Sequence, residues 1–245
     1  MRFPIANLIP LLAMSGVVDT AHAIRPFVTD DARVVGGGLA QVESWLDGNV
    51  EGISHNVLTA IGPTDWLELT AGFVHGGSFD RAAGGYGISG PLFQFKALAS
   101  EPEPSGLPGL ALAAGVVPAF GSGAVKTEGT NIFGYLALTE SLLNDSLLLH
   151  VNLGASHYQQ DALWNWTMLG GFGFQQHLFQ GLHAVAEVYH GDPYLPFNST
   201  WETQAGFRYI LNESVQFDGT LGKTLKDEPD RWWTLGIRLV SPPIW

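Results

Sequence analysis

The stretch WETQAGFRYILNESVQFDGTLGK, residues 201–223, decides the fold class. Thr203, Ala205, Phe207 and Tyr209 alternate with Glu202, Gln204, Gly206 and Arg208. Beyond Asn212-Glu213, Val215, Phe217, Gly219 and Leu221 alternate with Gln216, Asp218, Thr220 and Gly222. Successive side chains of a strand project to opposite faces, so each half carries one apolar and one polar face. The Asn-Glu pair between the halves is tight-turn chemistry. The stretch therefore reads as a hairpin of two amphipathic strands.

The same unit recurs in both directions. Leu67, Leu69, Ala71 and Phe73 are separated by Glu68, Thr70 and Gly72, and Leu149, Val151, Leu153 and Ala155 by His150, Asn152 and Gly154. About twelve such segments follow one another, near 39–49, 53–62, 66–75, 86–98, 109–119, 131–142, 146–157, 163–177, 182–190, 201–211, 214–223 and 231–240. Short turns (Pro63-Thr64-Asp65, Asn144-Asp145, Phe179-Gln180-Gly181, Asn212-Glu213) alternate with longer polar connections at 76–85, 121–129, 191–200 and 224–230. Glu101-Pro102-Glu103-Pro104 is a long linker where a short turn belongs. Short turns at one end and long loops at the other describe an all-β, up-and-down antiparallel transmembrane barrel.

Composition fits that class and excludes others. Gly supplies 31 of 245 residues, about 13% against a usual share of roughly 7%, and charged residues only 14%. No mature apolar run reaches the roughly 20 residues of a spanning helix; Leu107–Phe120 is cut by Pro108 and Pro118. The absence of Cys rules out a disulfide scaffold, and a net charge of −12 argues against a binder of nucleic acid that relies on basic charge.

Residues 1–23 read as a signal peptide: Arg2, an apolar run from Ile5 to Val18, then Ala21-His22-Ala23 as a small-x-small cleavage pattern. Residues 24–38 carry no strand pattern and are read as a periplasmic lead-in or as a plug folded into the lumen, with Arg25, Asp30, Asp31 and Arg33 meeting lumen charges. Residues 39–245 are the barrel.

Parity assigns side chains to faces. Glu43, Asp47, Glu68, Lys96, Glu187, Glu202, Arg208, Asp218 and Arg238 fall on the lumen side, since Arg or Lys facing lipid at the midplane costs about 2–4 kcal/mol. The excess of acids favours cations in an open pore. Trp66, Trp164, Trp166, Trp201, Trp232 and Trp233 sit at strand ends and are read as an interfacial girdle. Trp245 places an aromatic at the C-terminus, after a break at Pro242-Pro243.

Arg25-Pro26-Phe27-Val28-Thr29-Asp30-Asp31-Ala32-Arg33, followed by Gln41-Val42-Glu43-Ser44-Trp45, resembles the opening of the bacterial outer-membrane barrels called phenol meta-pathway (MetA-pathway) proteins or transporters. Gly36-Gly37-Gly38 stands where that group usually has Pro-Gly. The resemblance implies an outer-membrane barrel passing small, often aromatic, compounds, and it supplies no catalytic residues.

No enzyme is read from the sequence. A lipid hydrolase needs a Ser activated by a His that a third polar group holds. His150 and Ser156 share a face but lie about 20 Å apart at about 3.3 Å per residue. Ser54, His55, His157 and Ser199 read as loop or rim residues outside any nucleophile motif. No metal or other cofactor is expected: His183 and Glu187 share a face that His190 does not, and Gly36–Gly38 and Gly84-Gly85 lack the Lys-Ser/Thr of a phosphate loop. The partners expected are outer-membrane lipids, the barrel assembly machinery and a small solute, with no nucleic acid. The functional expectation is a passive channel or transporter in the outer membrane. The competing readings are a closed structural or interaction barrel, a soluble exported β-protein and an outer-membrane lipid hydrolase.

Overall fold

The computed structural model describes residues 26–80, 82, 85–104, 106–127, 129–195 and 200–245. The strands are β1 (Ala40–Gly48), β2 (Gly52–Thr64), β3 (Leu67–Ser78), β4 (Tyr86–Ser100), β5 (Gly109–Val117), β6 (Gly121–Ser122), β7 (Asn131–Leu142), β8 (Leu147–Gln160), β9 (Leu163–Phe179), β10 (Leu182–His190), β11 (Trp201–Asn212), β12 (Val215–Thr224) and β13 (Arg231–Val240). All pairings are antiparallel between neighbours, and β1 closes on β13 from Gln41↔Val240 to Gly48↔Trp233. Setting aside the two-residue β6, twelve strands form a closed barrel. Closure leaves no edge, so every ladder is paired without a staple.

Two departures from the sequence reading have local causes. The fifth strand stops at Val117, not 119, because Pro118 has no N–H to give the ladder. The chain then runs on in the same direction, and after the irregular Pro118–Phe120 stretch Gly121–Ser122 pairs with Ser89 and Ile88 beyond the reach of β5. At the turn end, β7 and β8 are joined through Leu143, Asn144 and Asp145, all with positive φ, and the 101–108 linker joins β4 to β5 at that same end.

Burial is inverted relative to a water-soluble β-protein. Phe73, Phe93, Phe172, Phe207, Phe217 and Leu235 are exposed on the outside, while Gln41, Glu43, Gln94, Lys96, Gln175 and Arg208 are buried inside. This outer apolar belt is what a lipid-facing barrel surface requires. An apolar sector, Leu58, Leu92, Ala113, Phe133, Tyr135 and Ala137, lines the lumen on the β2–β7 side. Polar residues dominate the opposite wall.

Candidate functional site

The lumen is occupied. Residues 26–35 lie inside the barrel, with Phe27, Thr29, Asp30, Asp31, Ala32, Val34 and Val35 all buried. A segment without secondary structure must satisfy its backbone elsewhere, and the barrel wall supplies the acceptors. The N–H groups of Val28 and Thr29 donate to the two oxygens of Glu187 at 2.8 and 2.7 Å. Asp30 N–H donates to Asn152 Oδ1, and Asn152 Nδ2 returns a bond to the Asp30 carbonyl at 3.0 Å. Ala32 N–H donates to Thr139 Oγ1 at 2.9 Å and Val35 N–H to Glu68 Oε2 at 2.9 Å. Gln204 Nε2 donates to the Pro26 carbonyl at 3.0 Å.

Side chains fix the same segment. Lys96 Nζ donates to Asp30 Oδ1 at 2.7 Å, and Tyr135 OH donates to Asp30 Oδ2 at 2.8 Å. Burial pushes the Asp30 carboxyl up to about 6, against the pull of the adjacent Lys96 ammonium. Thr139 Oγ1 donates to Asp31 Oδ1 at 3.1 Å. Arg33 contacts Asp31 and, at the turn end, Asp145, each at 3.4 Å. Phe27 lies 5.3 Å from the His150 ring and beneath the Arg208 guanidinium at 5.6 Å. Arg25 lies outside the described residues, as does the whole signal-peptide reading.

Two glycine sets make room for this arrangement. A Cβ on Gly171 would stand 2.3 Å from Thr29 Oγ1, and one on Gly173 would be 3.4 Å from the Phe27 ring. Gly36 and Gly38, at φ 93° and 76°, turn the chain out of the lumen and into β1, a backbone region that L side chains adopt at a cost.

The lumen charges stand opposite one another in register. Glu43 faces Arg238, Glu68 faces Lys96, and Arg208 faces Asp218 across adjacent strands. Glu187 and Glu202 are buried, the first on Val28 and Thr29. Asp47 is half-buried at the wall of a cavity.

That cavity, about 500 Å³, opens above the segment toward the long-loop end. Phe27, Val28 and Asp30 form its floor; its wall carries Glu43, Asp47, Glu202 and Asp230 with Trp45, Tyr189 and Trp232. A piece of the β10–β11 connection bends into it. Gly191, at φ 72°, starts the bend; Asn131 Nδ2 donates to the Pro193 carbonyl at 2.7 Å, Tyr194 OH to Gln94 Oε1 at 3.3 Å, and the Tyr194 ring meets Phe133 at 5.8 Å. Burial, with Glu202, Asp47 and Glu187 nearby, raises the Asp192 carboxyl to about 7. Sequence reasoning missed this inward bend; Gly191 followed by Asp192-Pro193 was its signal.

One member of the expected girdle is placed differently. Trp232 and Trp233 are adjacent in β13, so alternation sends them to opposite faces. Trp232 turns inward over Gly222 and lines the cavity, whereas Trp233 covers Gly48 on the outside. Trp66, Trp164, Trp166 and Trp201 are exposed.

His150, Asn152 and Ser156 all point inward and are buried. His150 bonds Thr139 at 3.0 Å and Asn152 holds Asp30, so neither addresses Ser156. His55 is not a rim residue but an outward-facing member of β2, bonded to β1 and β3. Ser199 lies outside the described residues. Among the described residues no group of three or more metal-ligating side chains assembles.

The sequence matches, over residues 11–240, the model of the family described as "Uncharacterised conserved protein UCP029691". Comparison with curated proteins found no match. Among solved structures, the COG4313 outer membrane channel from Pseudomonas putida F1 superposes with a TM-score of 0.64 at 11% identity, covering 86% of this chain and 97% of that one. The KdgM porin in complex with disordered oligogalacturonate gives 0.59 at 7% identity, covering 81% and 98%. The NanC porin gives 0.55 at 7%, covering 82% and 98%. At such identities the likeness is one of fold. The match across nearly all of the sequence makes the chain a member of the UCP029691 family.

Proposed function

We propose that this member of the UCP029691 family is an outer-membrane channel for small solutes, kept closed by its own N-terminal segment. The carrying observation is how residues 26–35 are held: through hydrogen bonds to wall side chains such as Glu187, Asn152 and Thr139, not through a continuous apolar core. Each such bond contributes roughly 0.5–3 kcal/mol and is replaced by a bond to water once the segment leaves the lumen, so release needs no rupture of an apolar core. Such a plug can release without unfolding the barrel. The solved porins and channel of the same architecture support the reading.

The cavity directs the choice of solute. Its carboxylates face aromatic rings and the apolar sector headed by Leu58 and Tyr135. Cations and neutral aromatic molecules are favoured there, and acidic sugars are repelled. Phenols, the compounds implied by the resemblance of the mature N-terminus, belong to the neutral class. Export by a cleaved leader, insertion by the barrel assembly machinery and residence among outer-membrane lipids complete the proposal. Liposome uptake with phenols and simple ions tests it: uptake by the full chain or by a variant lacking residues 24–36 supports transport. Impermeability of both supports the second reading, a closed structural barrel, which the filled lower lumen favours.

A further inference from the structure

On the outer face of the barrel, away from the lumen, four side chains from four consecutive strands are joined by hydrogen bonds. Ser44 Oγ on β1 lies 2.7 Å from His55 Nε2 on β2. His55 Nδ1 lies 2.8 Å from His75 Nε2 on β3, and His75 Nδ1 lies 3.0 Å from the Tyr86 hydroxyl on β4. Register produces the alignment: His55 stands directly opposite His75, and Ser44 opposite Val57, two residues along from His55. With both imidazoles neutral, one proton per ring satisfies the whole chain, running from the Ser hydroxyl to His55 and from the His55 Nδ1–H to His75.

This is the relation between a serine, its base and the group that orients the base. We propose that Ser44 and His55 are catalytic residues for hydrolysis of a carboxylic ester carried on a membrane-embedded acyl chain, with His75 and Tyr86 as positioning residues. The location selects the substrate. Leu46, Ile53, Phe73 and Ile88 around the cluster are exposed on the apolar belt. A groove of about 440 Å³ starts beside it, lined by Val57, Thr59, Ala71, Phe73, Ile88 and Phe120. It continues toward the turn end through a second depression of about 740 Å³ that shares Thr59 and Ala71. An acyl chain lying in this groove presents its ester carbonyl at the level of Ser44.

The chemistry needs only water as a co-reactant. Ser44 Oγ bonds to the ester carbonyl carbon as its proton passes to His55 Nε2. The C–O bond to the alcohol breaks, and His55 returns that proton to the departing oxygen. Water, deprotonated by His55, then releases the acyl group from Ser44 as a carboxylic acid and restores the hydroxyl. A His pair on a lipid-facing surface is costly unless its polar atoms are satisfied; the hydrogen-bonded chain satisfies them and at the same time leaves the Ser44 oxygen addressed by a base.

The test uses the full chain folded in detergent micelles, a long-alkyl fluorophosphonate and p-nitrophenyl palmitate. Folding of each variant is read separately by heat-modifiable migration. The proposal expects labelling of the Ser44 peptide, loss of label and hydrolysis in S44A, and no loss in S54A. H55A, or H55Q where H55A does not fold, should lower hydrolysis at least about 100-fold. H75N, which keeps an acceptor for the His55 Nδ1–H, should retain more activity than H75F and shift the pH profile less. A folded barrel whose Ser44 takes no label, or whose hydrolysis survives S44A, overturns it. Conductance is independent of this site, so S44A leaves the channel reading untouched whichever way the hydrolysis result falls.

Discussion

Glu187 is the most informative single contact between the wall and the N-terminal segment, because one carboxylate accepts two consecutive backbone N–H groups at 2.8 and 2.7 Å. Hydrogen bonds to a charged acceptor contribute roughly 1.5–3 kcal/mol each. Glu187→Ala removes both, which at the lower figure costs the docked state about 3 kcal/mol, or about 150-fold in the docking equilibrium. The sequence has no Cys, so Ala32→Cys installs a single thiol reporter at a fully buried position in the segment. Its reaction with a small maleimide measures how often the segment leaves the lumen. In the Glu187→Ala background the rate should rise by about two orders of magnitude while the barrel keeps its heat-modifiable migration. Glu187→Gln, retaining one acceptor oxygen for the two N–H groups, should fall between. A rate within about twofold of the parent would refute the reasoning, since the bonds to Glu187 would then carry none of the docking energy.

Three further outcomes follow from particular residues. Gly171→Val places a branched side chain where Thr29 Oγ1 would be 2.3 Å from its Cβ; in the Ala32→Cys background it should raise maleimide reactivity at least tenfold, whereas Gly170→Val, with only Asn152 O at 3.5 Å, should leave it unchanged. The Asp192 carboxyl, raised to about 7 by burial, is protonated below that pH and charged above it, so the cation-to-anion permeability ratio of a conducting variant should rise between about pH 6 and 8; Asp192→Asn should flatten that rise in reversal-potential measurements. Phe172→Arg, on the exposed apolar belt at the middle of β9, should lower stability in vesicles by about 2–4 kcal/mol, read from urea titration of refolding.

The strands were legible because their physics is local. A period of two needs only neighbours in sequence, and the turn at Asn212-Glu213 or the stop imposed by Pro118 is written within a few residues. Parity carried the lumen-side assignments of Glu43, Glu68, Lys96 and Arg208 for the same reason. The same rule already forbade Trp232 and Trp233 from sharing a face. The N-terminal segment could be isolated as a stretch without strand pattern, but not placed. Its partners Thr139, Asn152 and Glu187 are 107 to 159 residues distant, and nothing in Val28 or Asp30 names them. The inward bend at Gly191–Tyr194 depends likewise on Asn131 and Gln94. Ser44, His55 and His75 lie 11 and 20 residues apart, a spacing that matches no helical or strand motif. They meet only after the short 49–51 turn and the 65–66 turn set the registers of β1, β2 and β3. Pairing arithmetic across two hairpins, applied to polar residues on the lipid-facing parity, would have found them.

The central claim is that the lumen conducts when residues 26–35 leave it. Planar-bilayer recording of the full chain beside a variant lacking residues 24–36 tests this most directly. The account predicts infrequent, brief openings for the full chain and sustained, cation-preferring conductance for the deletion. A folded deletion variant with no more conductance than the full chain would contradict it.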